Sequence, residues 1–281
     1  MSPEQALSEL VSLVNGPPSP FPWDRAALLL VVDEYPNLDI PRYLSLLDGY
    51  AAEVTAAPGA RETDPRAQVG ALRRVLFEEA GFQGNRSQYY DVRNSYLNEV
   101  LDRKLGLPIT LAVVMLAVGT RLGWPLVPVN FPGHFLVAYL PEAPQEPLAL
   151  DPFHGGLILS EEELGERWRL STGFETPSLE ALLRPSSPRP VLLRMLNNIR
   201  LAHRQAKRYR SAALANEKLA RLDPEEPRHV RDQAYLWLAA EEPRRAERLL
   251  TRYLERRPDA PDREQVRDHL ALLRERLPPL E

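Results

Sequence analysis

In chain order, the segment Gly106-Leu107-Pro108-Ile109-Thr110 is followed by a histidine, His134, and then by an aspartate, Asp151. A nucleophile at a helix start, with a histidine and an acid on neighbouring strands, supplies the groups that acyl transfer needs. The helix dipole favours the anionic nucleophile, the histidine takes its proton, and the carboxylate orients the imidazole. The chain contains no cysteine, which excludes a thiol nucleophile, a thiolate zinc site and a disulfide. Thr110 is the hydroxyl left near the segment's start. A threonine needs stronger activation than a thiol, and a first-turn threonine ordinarily hydrogen-bonds the backbone. The His134–Asp151 pair also has a plain structural use, because a buried imidazole–carboxylate hydrogen bond fixes two strands together. His154, three residues beyond Asp151, adds a third group of metal-ligating type. With no fourth ligand and no recognisable spacing, neither a metal nor a cofactor is expected.

For His134 and Asp151 to meet, the chain around them must form a hairpin. Pro125–Val129, Phe135–Leu140 and Pro147–Leu150 are apolar and partly alternating, which predicts three strands, with a turn over Pro141–Glu146. A symmetric register pairs Val137 with Leu148 and places His134 opposite Asp151. A slip of one residue would turn them to opposite faces. Before the strands, Ile109–Leu122 is apolar nearly all round, with Pro108 at its first turn and Gly123 at its end. Such a helix must be buried on most sides. Helices are also expected over Pro3–Leu13, after a cap at Asp24, after Asp39, over Ala67–Ala80, and over Tyr96–Leu105 closed by Gly106. Gly16–Pro22 reads as a stiff loop, and Gly155-Gly156 with Ser160-Glu161 as a turn and helix start. Asn94 and Asn98 could line a cleft beside the buried helix, although such residues more often cap helices and satisfy loop backbone. Gly133 allows close approach next to His134. Phe131, Phe135 and Phe153 read as core, and Tyr89–Tyr90 as the rim of the cleft or, preferably, as packing of the loop onto the core.

The chain has 281 residues, 44% hydrophobic and 26% charged, with formal net charge −4. That length suggests two domains, and the charge argues against a chain built throughout to bind nucleic acid. No apolar run reaches the roughly 18 residues of a membrane span. The first residues lack a basic segment followed by an apolar one, so a cytoplasmic location is expected and no membrane partner. Residues 189–281 hold 21 basic and 15 acidic residues, against a balance of −10 for the remainder. This shift coincides with Pro185–Pro190, which reads as a linker between domains at 1–184 and 191–281. Beyond it every segment reads as helix, and a period of 34 residues relates Ala212 to Ala246, Leu219 to Tyr253 and Pro224 to Pro258. Arg200, Arg204 and Arg208, and again Arg244, Arg248 and Arg252, form stripes along helix faces. These are solvated faces paired with Glu217, Glu241 and Glu247, or a basic groove for an acidic peptide.

The stretch Asn94-Ser95-Tyr96-Leu97-Asn98, then Gly106-Leu107-Pro108-Ile109-Thr110, Pro132-Gly133-His134-Phe135 and Asp151-Pro152-Phe153 resembles the SirB-type transglutaminase-like/TPR family. The resemblance covers roughly residues 25–275. It implies an α+β fold, a transglutaminase-like (papain-like) core with helices on a small antiparallel sheet, followed by an all-α tetratricopeptide-like (TPR) domain. It also implies a degenerate triad. Pro108 stands where active relatives place the cysteine, His134 and Asp151 match the other two positions, and Thr110 is the possible substitute. Asn94, Asn98, Pro108, Gly133, Phe153 and His154 would line the cleft. A eukaryotic F-box protein carries a similar domain, which hints at adaptor work. The expectation is a non-catalytic scaffold or regulatory protein that takes a protein or peptide through the TPR groove, with nucleic acid not expected. The alternative is a hydrolase or acyltransferase using His134 and Asp151 with Thr110 or water.

Overall fold

The computed structural model describes residues 1–17 and 20–277; part of the expected 16–22 loop therefore lies outside the described residues. The chain divides into two compact units, Met1–Met195 and Leu196–Glu281.

The first unit is built around the apolar segment. It forms α6 (Pro108–Leu122), and every residue from Pro108 to Gly119 is buried. Pro108 needs no amide partner in the first turn, and Gly123 ends the helix in the left-handed region. Around it pack α2 (Trp23–Leu29), α3 (Ile40–Ala56) and α5 (Leu97–Arg103). Asp39 caps α3 as expected, accepting from the Arg42 amide. Asp24 does not cap α2. It lies inside the first turn, buried, and its carboxylate receives Arg121 Nη1 at 2.7 Å. The helix α4 (Pro65–Arg73) continues as a π-helical turn over Arg74–Glu79, so the periodic segment is one rod of two geometries. Lys104, at φ 62°, ends α5. Gly106, expected to close that helix, instead belongs to β2 (Leu105–Gly106), which pairs in parallel with β1 (Gln83–Gly84).

A four-stranded antiparallel sheet follows, in the order β3 (Leu126–Val129), β4 (Leu136–Tyr139), β5 (Leu148–Asp151) and β6 (Leu157–Leu159). The sequence pattern predicts no strand at β6. The three-residue strand is too short for alternation to register above its flanking glycines. Both β4 and β5 are buried throughout. Leu136, Ala138 and Ala149 share a cluster with Leu164 of α7 (Glu161–Thr172) and Leu182 of α8 (Leu179–Leu182), and α6 packs on β3 and β4. Helices thus cover the sheet, and its two central strands have no polar face. The hairpin register is Val137 with Leu150 and Tyr139 with Leu148, two residues away from the symmetric one. A shift of two keeps each side chain on its own face, so the error changes pairing without inverting the sheet.

Of the expected linker, Pro188, Arg189 and Pro190 already form the first turn of α9 (Pro188–Gln205), inside which the division between units falls. Proline suits a first turn, so the breaker residues open the helix rather than separate it. The second unit continues through α10 (Tyr209–Leu222), α11 (Arg228–Ala239), α12 (Pro243–Arg256) and α13 (Arg263–Arg276). Sequential neighbours pack on each other around Ala212, Ala234, Trp237, Ala246 and Leu250. The 34-residue period is also a period of the backbone. Helix α12 begins and ends 34 residues after α10, Lys207 and Glu241 share positive φ (57° and 60°), and Asp223 and Arg257 share φ near −130° with ψ 72°. The amide of Arg208 closes on His203 O, and that of Glu242 on Trp237 O.

Candidate functional site

Asp151 ends β5 and caps a short 3₁₀ turn, Pro152–His154, accepting from the amides of Phe153 (3.1 Å) and His154 (3.3 Å). Its carboxylate is fully buried. His134 Nε2 lies 2.8 Å from Oδ1, and His154 Nδ1 and Arg167 Nη1 each lie 2.8 Å from Oδ2. Burial alone would raise the Asp151 pKa. The hydrogen bonds and positive potential of His134 and then His154 outweigh it and hold the carboxyl well below the usual carboxylate range. With Asp151 ionised, each ring nitrogen facing it carries the proton. His134 Nδ1 and His154 Nε2 have no protein partner among the described residues.

The two histidines reach Asp151 from different directions. His134 sits in the turn before β4 rather than on a strand, its amide donating to Phe131 O at 3.1 Å. Gly133 makes that turn possible. Its φ is +70°, and an added Cβ would lie 2.9 Å from Ser171 Oγ on α7, so the turn needs both the left-handed backbone and the missing side chain. His154 stands on the other side, its ring centroid 6.2 Å from that of His134. Arg167 comes from α7, whose start is fixed by a reciprocal Ser160–Glu163 capping box. Nothing in the sequence marks Arg167, because its partner lies on another element with no periodic relation to it.

Thr110 Oγ1 is buried at the start of α6. It accepts from the Leu107 amide at 2.9 Å and lies 2.7 Å from Asn94 O, to which it donates. Asn94 is equally occupied. Its Oδ1 accepts from Asn85, and its Nδ2 donates to the carbonyls of Gln88 and Tyr89. These residues therefore lock the polar loop 85–94 onto the helix start. Pro108 is buried at that same start. Asn98 is buried on α5, its carboxamide oxygen without a hydrogen-bond partner among the described residues. Phe131 and Phe135 are core, whereas Phe153 is only partly buried. Tyr89 and Tyr90 are exposed at 42% and 70% rather than packed inward, and the Tyr89 ring lies 5.9 Å from Phe153 in edge contact.

An open cleft of about 790 Å³ runs past this corner, lined by Arg73, Phe77, Gly84, Arg86, Phe153 and His154 among others. Gly84 is the tightest point: a Cβ there would come within 2.4 Å of the Phe153 ring. His134, Asp151 and His154 offer ligand-type atoms within 4.8 Å of one another. Yet the carboxylate already accepts five hydrogen bonds, one from a guanidinium, so the cluster is an anion already neutralised rather than a vacant donor set for a cation.

Residues 41–197 match the description Transglutaminase-like superfamily. The chain belongs to that superfamily. A UPF0162 protein of Xylella fastidiosa strain 9a5c is 40% identical over 247 residues, covering 87% of each chain. UPF0162 protein PA3419 of Pseudomonas aeruginosa is 31% identical over 224 residues, 80% of this chain and 78% of that one. F-box only protein 21 of Homo sapiens is 44% identical over 69 residues, 25% of this chain and 11% of that protein. No solved structure matches. In this transglutaminase-like unit the histidine and the acid are in contact, and the chain supplies no cysteine to face them. No helix among the described residues is long and apolar enough to cross a membrane.

Proposed function

We propose that the protein is a non-catalytic binding or scaffold protein of the SirB type, whose transglutaminase-like unit no longer performs acyl transfer and whose helical repeat, read as a TPR array, engages a partner protein. The observation that carries this reading is the state of Thr110. In a chain without cysteine it is the hydroxyl nearest the old nucleophile position, and its proton is donated to the Asn94 carbonyl. A nucleophile whose proton is held by backbone has no base to activate it. The adaptor role is supported further by the short shared segment with an F-box protein, at the level of analogy.

One observation favours a second reading. His134 holds Asp151 through Nε2 and keeps Nδ1 without a protein partner, the arrangement of a base prepared to take a proton from water or from a bound substrate. His134→Ala in the full chain separates the two readings. Amide or ester turnover by the wild type, lost in the variant with the fold intact, would establish the enzyme and end the scaffold reading. The scaffold reading expects no turnover and no covalent adduct on Thr110 by mass spectrometry after exposure to acyl donors, with partner capture retained by the wild type.

A further inference from the structure

We propose that the cleft of the second unit binds an extended acidic segment of a partner protein, with carboxylates at every second residue. This deepens the protein-binding reading of the helical repeat and rests on it. The cleft lies among α10, α11 and α12 and holds about 690 Å³. Arg245, Arg248, Arg252 and Arg256 of α12 line it in one stripe, and Arg221 faces it from the end of α10. Arg245 lies over the Trp237 ring at 4.4 Å and 3.7 Å from Glu242. The other four are exposed, with no ion pair or hydrogen bond to any described residue. Two acids share the lining. Glu226 is taken up by Arg228, through its amide and its guanidinium. Glu217 alone stands against four unpaired cations.

The spacing of those cations sets the shape of the occupant. Four residues of helix rise about 6 Å, so Arg248, Arg252 and Arg256 repeat at that interval and the whole stripe from Arg245 spans about 16 Å. Alternate residues of an extended chain repeat every ~6.6 Å on one side, which brings one carboxylate to each guanidinium. Arginine pairs with carboxylates through two parallel hydrogen bonds, which favours acids fixed in register over diffuse negative charge. Proteins that hold single-stranded nucleic acid stack its bases on exposed aromatic rings. Trp237, the aromatic residue of the cleft, is 2% exposed beneath Arg245.

The test uses the full chain and fluorescence anisotropy with labelled probes of equal length. These are a peptide with Glu at alternate positions, one of the same composition with its Glu residues blocked at one end, one with Lys at the alternate positions, and single-stranded oligothymidylate. The alternating acidic peptide is expected to bind most tightly, with affinity falling as salt rises. The double variant Arg248→Glu/Arg252→Glu is expected to weaken it at least tenfold at unchanged Tm, while Arg248→Lys/Arg252→Lys, which keeps the charge but loses the paired hydrogen bonds, weakens it less. Equal binding of the blocked peptide would overturn the extended register. Oligothymidylate binding as tightly, or no effect of charge reversal, would overturn the acidic-peptide assignment. Binding of the Lys peptide in place of the acidic ones would leave the groove a peptide site with the wrong occupant assigned. Binding of no peptide at all would remove the groove reading with it.

Discussion

The polar centres of the two units are opposites. Around Asp151, one buried carboxylate accepts five hydrogen bonds from two histidines, an arginine and two amides. Along α12, the exposed guanidiniums of Arg248, Arg252 and Arg256 have no carboxylate partner among the described residues. Buried charge must be satisfied within the fold, because an unmet partner there costs more than the interaction itself yields. Exposed charge carries no such requirement and is free to be satisfied by something else. Chemical groups typical of catalysis thus sit where they also hold the structure together, while the unspent charge lies in the helical repeat.

The largest effect expected from breaking this contrast is at Asp151. Asp151→Ala leaves Arg167 and two imidazoles without their common acceptor and removes the cap of the Pro152–His154 turn. Removing one partner of a buried charge network costs about 3–5 kcal/mol, or a fall of about 6–20 °C in Tm for a unit of this size. The pH dependence gives the sign independently. The folded pKa of Asp151 is depressed, so its stabilisation is complete above the unfolded value of about 3.9 and is lost as pH falls toward the folded one. The stability difference between wild type and Asp151→Ala, followed by urea denaturation, is therefore expected to shrink as pH drops below about 4. A constant difference across that range would mean that Asp151 acts through shape rather than charge.

Next in size is Gly84→Ala. The added Cβ would stand 2.4–2.6 Å from three atoms of the Phe153 ring, and a ring cannot retreat as the tip of a flexible chain does. The expected cost is about 1–3 kcal/mol, with Phe153 turned away and the cleft beside His154 widened. Thermal denaturation measures the cost. An unchanged Tm would show that Phe153 already moves freely over the cleft.

Thr110→Val follows, at about 1–2 kcal/mol. The Leu107 amide would lose its acceptor at 2.9 Å but keep a longer bond to Asn94 O at 3.3 Å, which places the effect at the lower end for a buried group. Thr110→Ser restores the hydroxyl and is expected to recover most of the stability in the same measurement. Full recovery of stability together with a catalytic turnover that depends on this oxygen would move Thr110 from cap to nucleophile.

The parts of this molecule legible in the sequence are those written by a single element. The apolar run of α6, with its proline start and glycine end, follows from spacing within one segment, and the 34-residue period from the repetition of one segment's pattern. The meeting of His134 with Asp151 could be read because a hairpin brings the ends of its two strands together, although His134 lies in the turn before β4 and the register is two residues off. Arg167 and Gly84 were not legible, since each acts on a residue brought near only by the packing of a different element. Asp24 shows the same limit in reverse. Its position suits a cap, yet Arg121, 97 residues away, draws it into the core.

The smallest stability effect is expected where the sequence shows the most charge. Arg248→Ala and Arg252→Ala remove exposed side chains without ion-pair partners among the described residues, and such changes usually stay within about 0.5 kcal/mol of wild type. Arg274→Ala, made on α13, is the internal comparison. Its guanidinium lies 3.0 Å from Glu247 and 3.0 Å from Thr251, but it is also largely exposed, so that pair too is worth little. All three variants are therefore expected to melt with the wild type. Only the two cleft variants are expected to lose the acidic peptide, because Arg274 already has an acid and the cleft arginines do not. Equal loss of binding in Arg274→Ala would mean that overall positive charge, rather than the unpaired stripe, attracts the ligand.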